Sequence, residues 1–266
     1  MIRVSTGNTR SHGGRTERLQ SRSDSSLGDW SNGYDGGLQN RRLGFDSLVP
    51  RLIQAVIFDL DGLLIDSESA WDGGRKALVA EHGLAWPVGA TEAMLGMSSP
   101  EWSRYVHETL GVALAPAAIS DHVVAHVLQT YEERLPLLPG AEAAVERIAA
   151  RWQLGLASSS NLEVIERVME TSGWASVFAT WVSSEEVARG KPAPDVFLEA
   201  ARRLGVEPAD TAGVEDSHNG ILAARAAGLR VIAIPNHEFP PGPEALAAAD
   251  VVLGSLGELS PDVIAG

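Results

Sequence analysis

Asp59 and Asp61 stand two positions apart behind an apolar run that begins near Leu52 and contains Ala55-Val56-Ile57-Phe58. A run this rich in β-branched and aromatic residues is expected of a strand buried on both faces of a parallel sheet. Gly62, directly after the acids, permits the turn by which the chain leaves that strand. Two carboxylates so close repel unless a positive charge lies between them or one keeps its proton. A hard divalent cation such as Mg²⁺ relieves that repulsion using oxygen ligands alone. In open α/β sheets the carboxyl ends of the strands are where ligands bind. By itself, Asp-x-Asp-Gly also fits a plain surface turn.

Three later stretches carry complementary groups. Leu154-Gly155-Leu156-Ala157 leads into Ser158-Ser159-Ser160-Asn161, hydroxyls and backbone N–H groups suited to an anion, or simply to capping a helix, with Ser160 as the cap. In Arg189-Gly190-Lys191-Pro192-Ala193-Pro194-Asp195, one of the chain's two lysines sits on a loop too rich in Gly and Pro to form a helix face. Such a loop holds one ammonium at a fixed point, although a solvent-exposed lysine is the plain alternative. Val214-Glu215-Asp216-Ser217 closes another apolar run with two acids, metal ligands or else a capping pair at a helix start. Gly220, Ala223, Ala224, Ala226, Ala227 and Gly228 follow, on a helix thin enough to lie close to the sheet.

In this order the stretches resemble the four motifs of the haloacid dehalogenase superfamily, here spelled DLDGLLIDS, LASSSN, GKPAP and EDSHNGILAARAAG within residues 53–234. The resemblance implies that Asp59 is a nucleophile and Asp61 an acid/base. It implies that Ser158 donates its hydroxyl to a phosphoryl oxygen, and that Lys191 offsets the nucleophile's charge and grips the phosphate. Mg²⁺ is then expected on Asp59, Asp216 and the carbonyl of Asp61, with Glu215 a second acidic ligand or a partner behind the ligands. Leu60, Ser159 and Asn161 are expected to contact phosphate or substrate, as are Met97 and Ser98 from the segment after the first motif. The expected activity is Mg²⁺-dependent hydrolysis of a small phosphorylated metabolite, sugar-phosphate-like, through an aspartyl-phosphate intermediate.

Within the superfamily the spelling is most similar to the β-phosphoglucomutase and sugar-phosphate phosphatase group. In the mutases a histidine follows the first motif, and Trp71 stands at that position here. A lid loop that holds a basic pair in the mutases reads Leu95-Gly96-Met97-Ser98-Ser99. A phosphatase is therefore preferred over a phosphomutase. The dehalogenase branch lacks an acid at the position of Asp61. A non-enzymatic phospho-aspartate switch orders its acids differently along a shorter chain that has no helical insert.

The elements that must position these groups can be read from periodicity. After a first strand at 53–58, residues 67–134 read as helical. Trp71, Leu78 and Val79 fall on one helix, Trp102, Val106 and Leu110 on a second, and Ile119, Val123, Val127 and Tyr131 on a third that opens at Pro116. Leu135 to Gly140 breaks the pattern and reads as a hinge. Beyond it helices at 141–151, 161–172, 194–204 and 218–227 alternate with strands at 153–157, 179–182, 211–214 and 230–234, and a short run at 250–253 comes last. That alternation predicts an α/β fold, a Rossmann-like parallel sheet core with an inserted all-helical cap domain. The expected division is a disordered tail over 1–51, a core of 52–66 and 137–266, and a cap of 67–136 that closes over the site.

Composition narrows the function classes. The net charge is −14, and the basic residues concentrate in the Arg- and Ser-rich tail, so the remainder is strongly acidic. A broad basic face for nucleic acid or an anionic membrane is not expected, whereas a phosphorylated small molecule can still be captured by a metal and a few aimed donors. With no cysteine, thiolate catalysis and Cys-based metal sites are excluded. No apolar run approaches a membrane span and the N-terminus lacks the apolar core of a signal peptide, so a cytoplasmic location is expected. A monomer or weak homo-oligomer is expected. His122 and His126, one helical turn apart, read as surface residues because no third ligand is near in sequence. There is no GxGxxG or Walker loop to suggest nucleotide binding.

Overall fold

β1 (Ala55–Phe58) runs up the middle of a six-stranded sheet, between β2 (Gln153–Ser158) and β4 (Thr211–Glu215). The computed structural model describes residues 52–94 and 97–266; the expected N-terminal tail, and Leu95 and Gly96 of the lid loop, lie outside the described residues. Beyond β2 lies β3 (Phe178–Ser183), and beyond β4 lie β5 (Arg230–Ala233) and β6 (Val251–Val252), every pairing parallel. The chain builds outward from β1 to β2 and β3, then crosses back to β4. The strand order therefore reverses at β1, which opens a crevice at its carboxyl end.

All four residues of β1 are buried, and their side chains alternate between two layers. Val56 and Phe58 join one apolar cluster with residues of α5 (Ala141–Ala149), α6 (Leu162–Thr171) and α10 (Pro261–Ala265). Ala55 and Ile57 join the other, with residues of α7 (Asp195–Leu204), α8 (His218–Ala226) and α9 (Pro243–Ala248). Fully burying an aliphatic or Phe side chain is worth about 1.5–3 kcal/mol. Burial on both faces thus explains why an unbroken apolar run, not an alternating one, marks this strand.

Between β1 and α5 the chain forms α1 (Glu68–Glu81), α2 (Ala90–Met94), α3 (Ser99–Glu108) and α4 (Pro116–Glu133). The short α2 has no signal in the sequence pattern. Ile119, Val123, Val127 and Tyr131 are buried as their spacing predicts, facing Trp71, Leu78, Val79 and Trp102 within one apolar cluster. α1 meets α4 at Gly73 and Gly74: a Cβ built on Gly74 would lie 3.1 Å from His126 Cδ2 and 3.2 Å from Val123 Cγ1. His126 is therefore packing against α1, and His122 sits 3.2 Å from Glu81.

The residues that enter and leave this helical segment run side by side. Ile65 and Leu137 form an antiparallel bridge, Asp66 N–H donates to Pro136 at 2.8 Å and Leu138 N–H donates to Leu64 at 2.9 Å. The predicted hinge is thus half of a two-stranded strap. No helix among the described residues is long and apolar enough to cross a membrane.

Candidate active site

Parallel register brings the polar strand ends to one level. Phe58 pairs with Leu156 on one side and Val214 on the other, so the residues that follow, Asp59, Ala157-Ser158 and Glu215-Asp216, emerge together at the sheet edge. Asp59 N–H continues the ladder by donating to Val214 at 2.9 Å. Asp59, Glu215 and Asp216 are all buried and present carboxylate oxygens within 4.8 Å of one another.

Lys191 reaches into this cluster from the loop before α7. Its ammonium donates to Asp59 Oδ1 and Glu215 Oε1, each at 2.5 Å, and to the Ala157 carbonyl at 3.0 Å. Arg189 and Asp195 brace the loop through a two-pronged ion pair of 2.8 and 3.2 Å. The lysine side chain is 4% exposed, so a solvent-facing loop residue is ruled out. Burial alone would lower its pKa, but the charges and hydrogen bonds of Asp59 and Glu215 outweigh that and hold it above the ordinary lysine value.

One ammonium does not balance three buried carboxylates. Burial, reinforced by Glu215 and Asp61 and opposed by Lys191, pushes Asp59 up to about 8. Burial, then Glu215 and Asp59, raises Asp216 well above the carboxylate range. Asp216 Oδ1 is buried with no hydrogen-bond partner. A crowded set of hard oxygens, one of them orphaned and all short of positive charge, fits a divalent cation.

Glu215 is engaged differently. Its Oε2 accepts from Asp216 N–H at 3.0 Å, Ser217 N–H at 3.1 Å and Ser217 Oγ at 3.0 Å, while Oε1 takes Lys191. The carboxylate lies flat on the start of α8, where a Cβ built on Gly220 would fall 1.7 Å from Oε1. The glycine of the fourth motif is therefore a berth for Glu215. Gly220→Ala is expected to cost about 1–3 kcal/mol through overpacking, read as a lower urea midpoint at unchanged slope; an unchanged midpoint would show that Glu215 has another place to go. Gly62 serves Asp216 in the same way: its φ is +79°, and an added Cβ would lie 2.3 Å from Asp216 Oδ2.

The second motif departs from expectation in its details. Ser158 is fully buried, and its hydroxyl donates to Asp61 Oδ2 at 2.9 Å instead of facing open space. Ser160, read as a helix cap, donates to the same oxygen at 2.8 Å. Both hydroxyls thus orient Asp61. Asn161 occupies the position before α6, but its side chain ties elements together: Ser99 Oγ donates to its Oδ1 at 2.5 Å and its Nδ2 donates to Glu185 at 2.6 Å. Asn161 opens onto a separate cleft of about 630 Å³ beside α3 and α6, as does Arg104. Ser98 turns to its own helix, with its N–H and hydroxyl donating to Glu101 at 2.8 and 2.6 Å. A helix start with an acid three residues on recruits its serine locally, which is why Ser98 is not aimed at the cleft.

A cleft of about 470 Å³ opens over the acids, lined by Asp59, Asp61, Ser159, Lys191 and Asp216, with Asn236 and Phe239 from the loop after β5 on its far wall. Leu60 is fully buried and its carbonyl accepts from Leu64 N–H at 2.9 Å, so only its backbone N–H remains for a ligand. Met97 lines an adjoining recess toward the helical segment. That recess also involves Glu68, which the motif reading did not single out; its only sequence signal is an acid at the first position of a helix that starts beside the site.

Residues 53–228 match the family profile described as "Hydrolase: haloacid dehalogenase-like hydrolase". Hexitol phosphatase B of Escherichia coli K12 is 35% identical over 223 residues, covering 79% of this chain and 96% of that protein. Fructose-1-phosphate phosphatase YqaB of the same organism is 30% identical over 182 residues, 66% of this chain and 94% of that protein. Among solved structures, CbbY from Rhodobacter sphaeroides in complex with xylulose-(1,5)-bisphosphate superposes with a TM-score of 0.72 at 27% identity, over 80% of this chain and 99% of that one.

Proposed function

Since the chain belongs to the haloacid dehalogenase-like hydrolase family and is a phosphomonoester hydrolase within it, we propose that it dephosphorylates a small sugar or polyol phosphate with Mg²⁺ as cofactor and Asp59 as nucleophile. The observation that carries this reading is the buried cluster of Asp59, Glu215 and Asp216 with Lys191 bonded to its first two members. The names of the relatives support the substrate class. Residues 52–66 and 137–266 act as the core, and 67–136 as the cap.

Asp59 and Asp216, with the Asp61 carbonyl, would hold the cation, whose chemistry is to neutralise charge at the transferring phosphoryl group. Glu215, with its acceptor positions already filled, acts as the anchor of Lys191. An Asp59 carboxylate oxygen attacks phosphorus; the new P–O bond forms as the bond to the substrate's alkoxide breaks. Asp61, oriented by Ser158 and Ser160, gives its proton to that alkoxide. It then takes a proton from the water that attacks the aspartyl phosphate, which releases inorganic phosphate and restores Asp59. Lys191 stabilises the charge that spreads over the phosphoryl oxygens. Trp71, at the position where the mutases hold a histidine, lines the cap recess and cannot exchange a proton, which favours hydrolysis over phosphoryl return.

The test is a panel of phosphorylated metabolites with Mg²⁺ and with chelator. Sustained release of phosphate, lost in chelator and most efficient for sugar or polyol monophosphates, is expected. Absence of turnover on every phosphomonoester, p-nitrophenyl phosphate included, would overturn the reading.

A further inference from the structure

Glu68 stands where the cleft over the acids meets the recess under the cap, lining both. Its Oε1 accepts from Arg75 at 2.8 Å, while its Oε2 has no hydrogen bond among the described residues. Arg75 is an internal support: 3% exposed, it also donates to the Trp71 carbonyl at 3.1 Å, and its guanidinium lies 5.9 Å from the Trp102 ring. The recess is about 100 Å³, far below the size of a drug-binding pocket, and Trp71, Trp102, Met94 and Met97 give it an apolar wall. The two indoles lie 6.1 Å apart. Arg75 is the recess's one cation among the described residues, and Glu68 neutralises it.

Resting on the phosphatase reading above, we propose that Glu68, held by Arg75, determines specificity by accepting the hydroxyls of a neutral polyhydroxylated leaving group and rejecting any leaving group that carries a second phosphate. A carboxylate oxygen fixed at the mouth of the recess is an acceptor for alcohol O–H groups, and the indole and thioether wall suits the C–H faces of a short carbon chain. A second phosphate in the same place would meet the Glu68 charge at short range in a partly desolvated recess, without an unpaired cation to offset it. CbbY is seen with a bisphosphate; in the recess here the one cation among the described residues, Arg75, is already paired with Glu68.

The experiment compares kcat/KM for a hexitol monophosphate and for xylulose-1,5-bisphosphate in the wild-type protein and in Glu68→Gln, which keeps a hydrogen bond to Arg75 and removes the charge. The wild-type protein is expected to favour the monophosphate by at least tenfold. In the variant that ratio is expected to shrink tenfold or more, with a higher KM for the monophosphate and a lower KM for the bisphosphate. A wild-type preference for the bisphosphate, or a ratio unmoved in Glu68→Gln, would overturn the assignment of Glu68 and leave the phosphatase reading standing. No turnover of either substrate or of p-nitrophenyl phosphate would remove the phosphatase reading, and this inference with it.

Discussion

Asp59→Asn is expected to stop turnover, lowering kcat on the order of 10⁴–10⁶-fold as removal of a nucleophile does, while leaving the fold intact. The same substitution is expected to stabilise the protein in chelator at alkaline pH. Asp59 has its folded-state pKa pushed up from 3.8 to about 8. The native state thus holds a proton that the unfolded chain releases, and stability falls as pH rises through that window. Asparagine carries no such proton. In chelator, the Tm of Asp59→Asn minus that of the wild-type protein should therefore grow between pH 5 and pH 8.5, by on the order of 5 °C. Adding Mg²⁺ should close or reverse the gap, because a cation that binds the ionised acid favours the native wild-type protein. Phosphate release by Asp59→Asn at the wild-type rate would show that another group attacks phosphorus. A Tm difference that is flat with pH would show that Asp59 is ionised without metal.

The second large effect is expected at Lys191. Methionine nearly matches its volume but removes the only ammonium bonded to Asp59 and Glu215 among the described residues, in a site where the three side chains are 4%, 6% and 0% exposed. Breaking a buried ion pair by deleting one partner costs about 3–5 kcal/mol. Loss of a preorganised donor to the reacting group lowers kcat roughly 10²–10³-fold. Without the ammonium the remaining carboxylates are expected to retain protons in the native state. The stability deficit of Lys191→Met should therefore be smallest near pH 5 and increase toward pH 8. Urea unfolding across that range tests this; a deficit independent of pH would mean that lost packing against Phe197, 5.1 Å from the ammonium, dominates instead.

The sequence by itself determined the skeleton. An unbroken apolar run ending at Asp59 marks a central strand because burial on both faces leaves no polar position in β1. The four-residue spacing from Ile119 to Tyr131, close to the helical period, exposes the helical insert for an equally local reason. The order of polar strand ends was enough to bring Asp59, Glu215 and Asp216 together, since parallel strands in register deliver their carboxyl ends to one edge; Lys191 joins them from the loop between β3 and α7. Only the tertiary structure decided what each polar atom touches. Ser158 and Ser160 meet Asp61 across 97 and 99 residues of chain. Ser98 turns to Glu101 on its own helix, Asn161 ties Ser99 to Glu185, and Glu215 fills its acceptor positions against Lys191 and the start of α8. Hydrogen bonds are settled within a fraction of an ångström by rotamer and helix placement, and residue type and spacing carry no such distances. For the same reason Glu68, seven positions from Arg75 on one helix, comes into view only once the fold sets both beside Trp102 and Met97 in one recess, although Arg75 can be named from the sequence as a residue able to face the substrate.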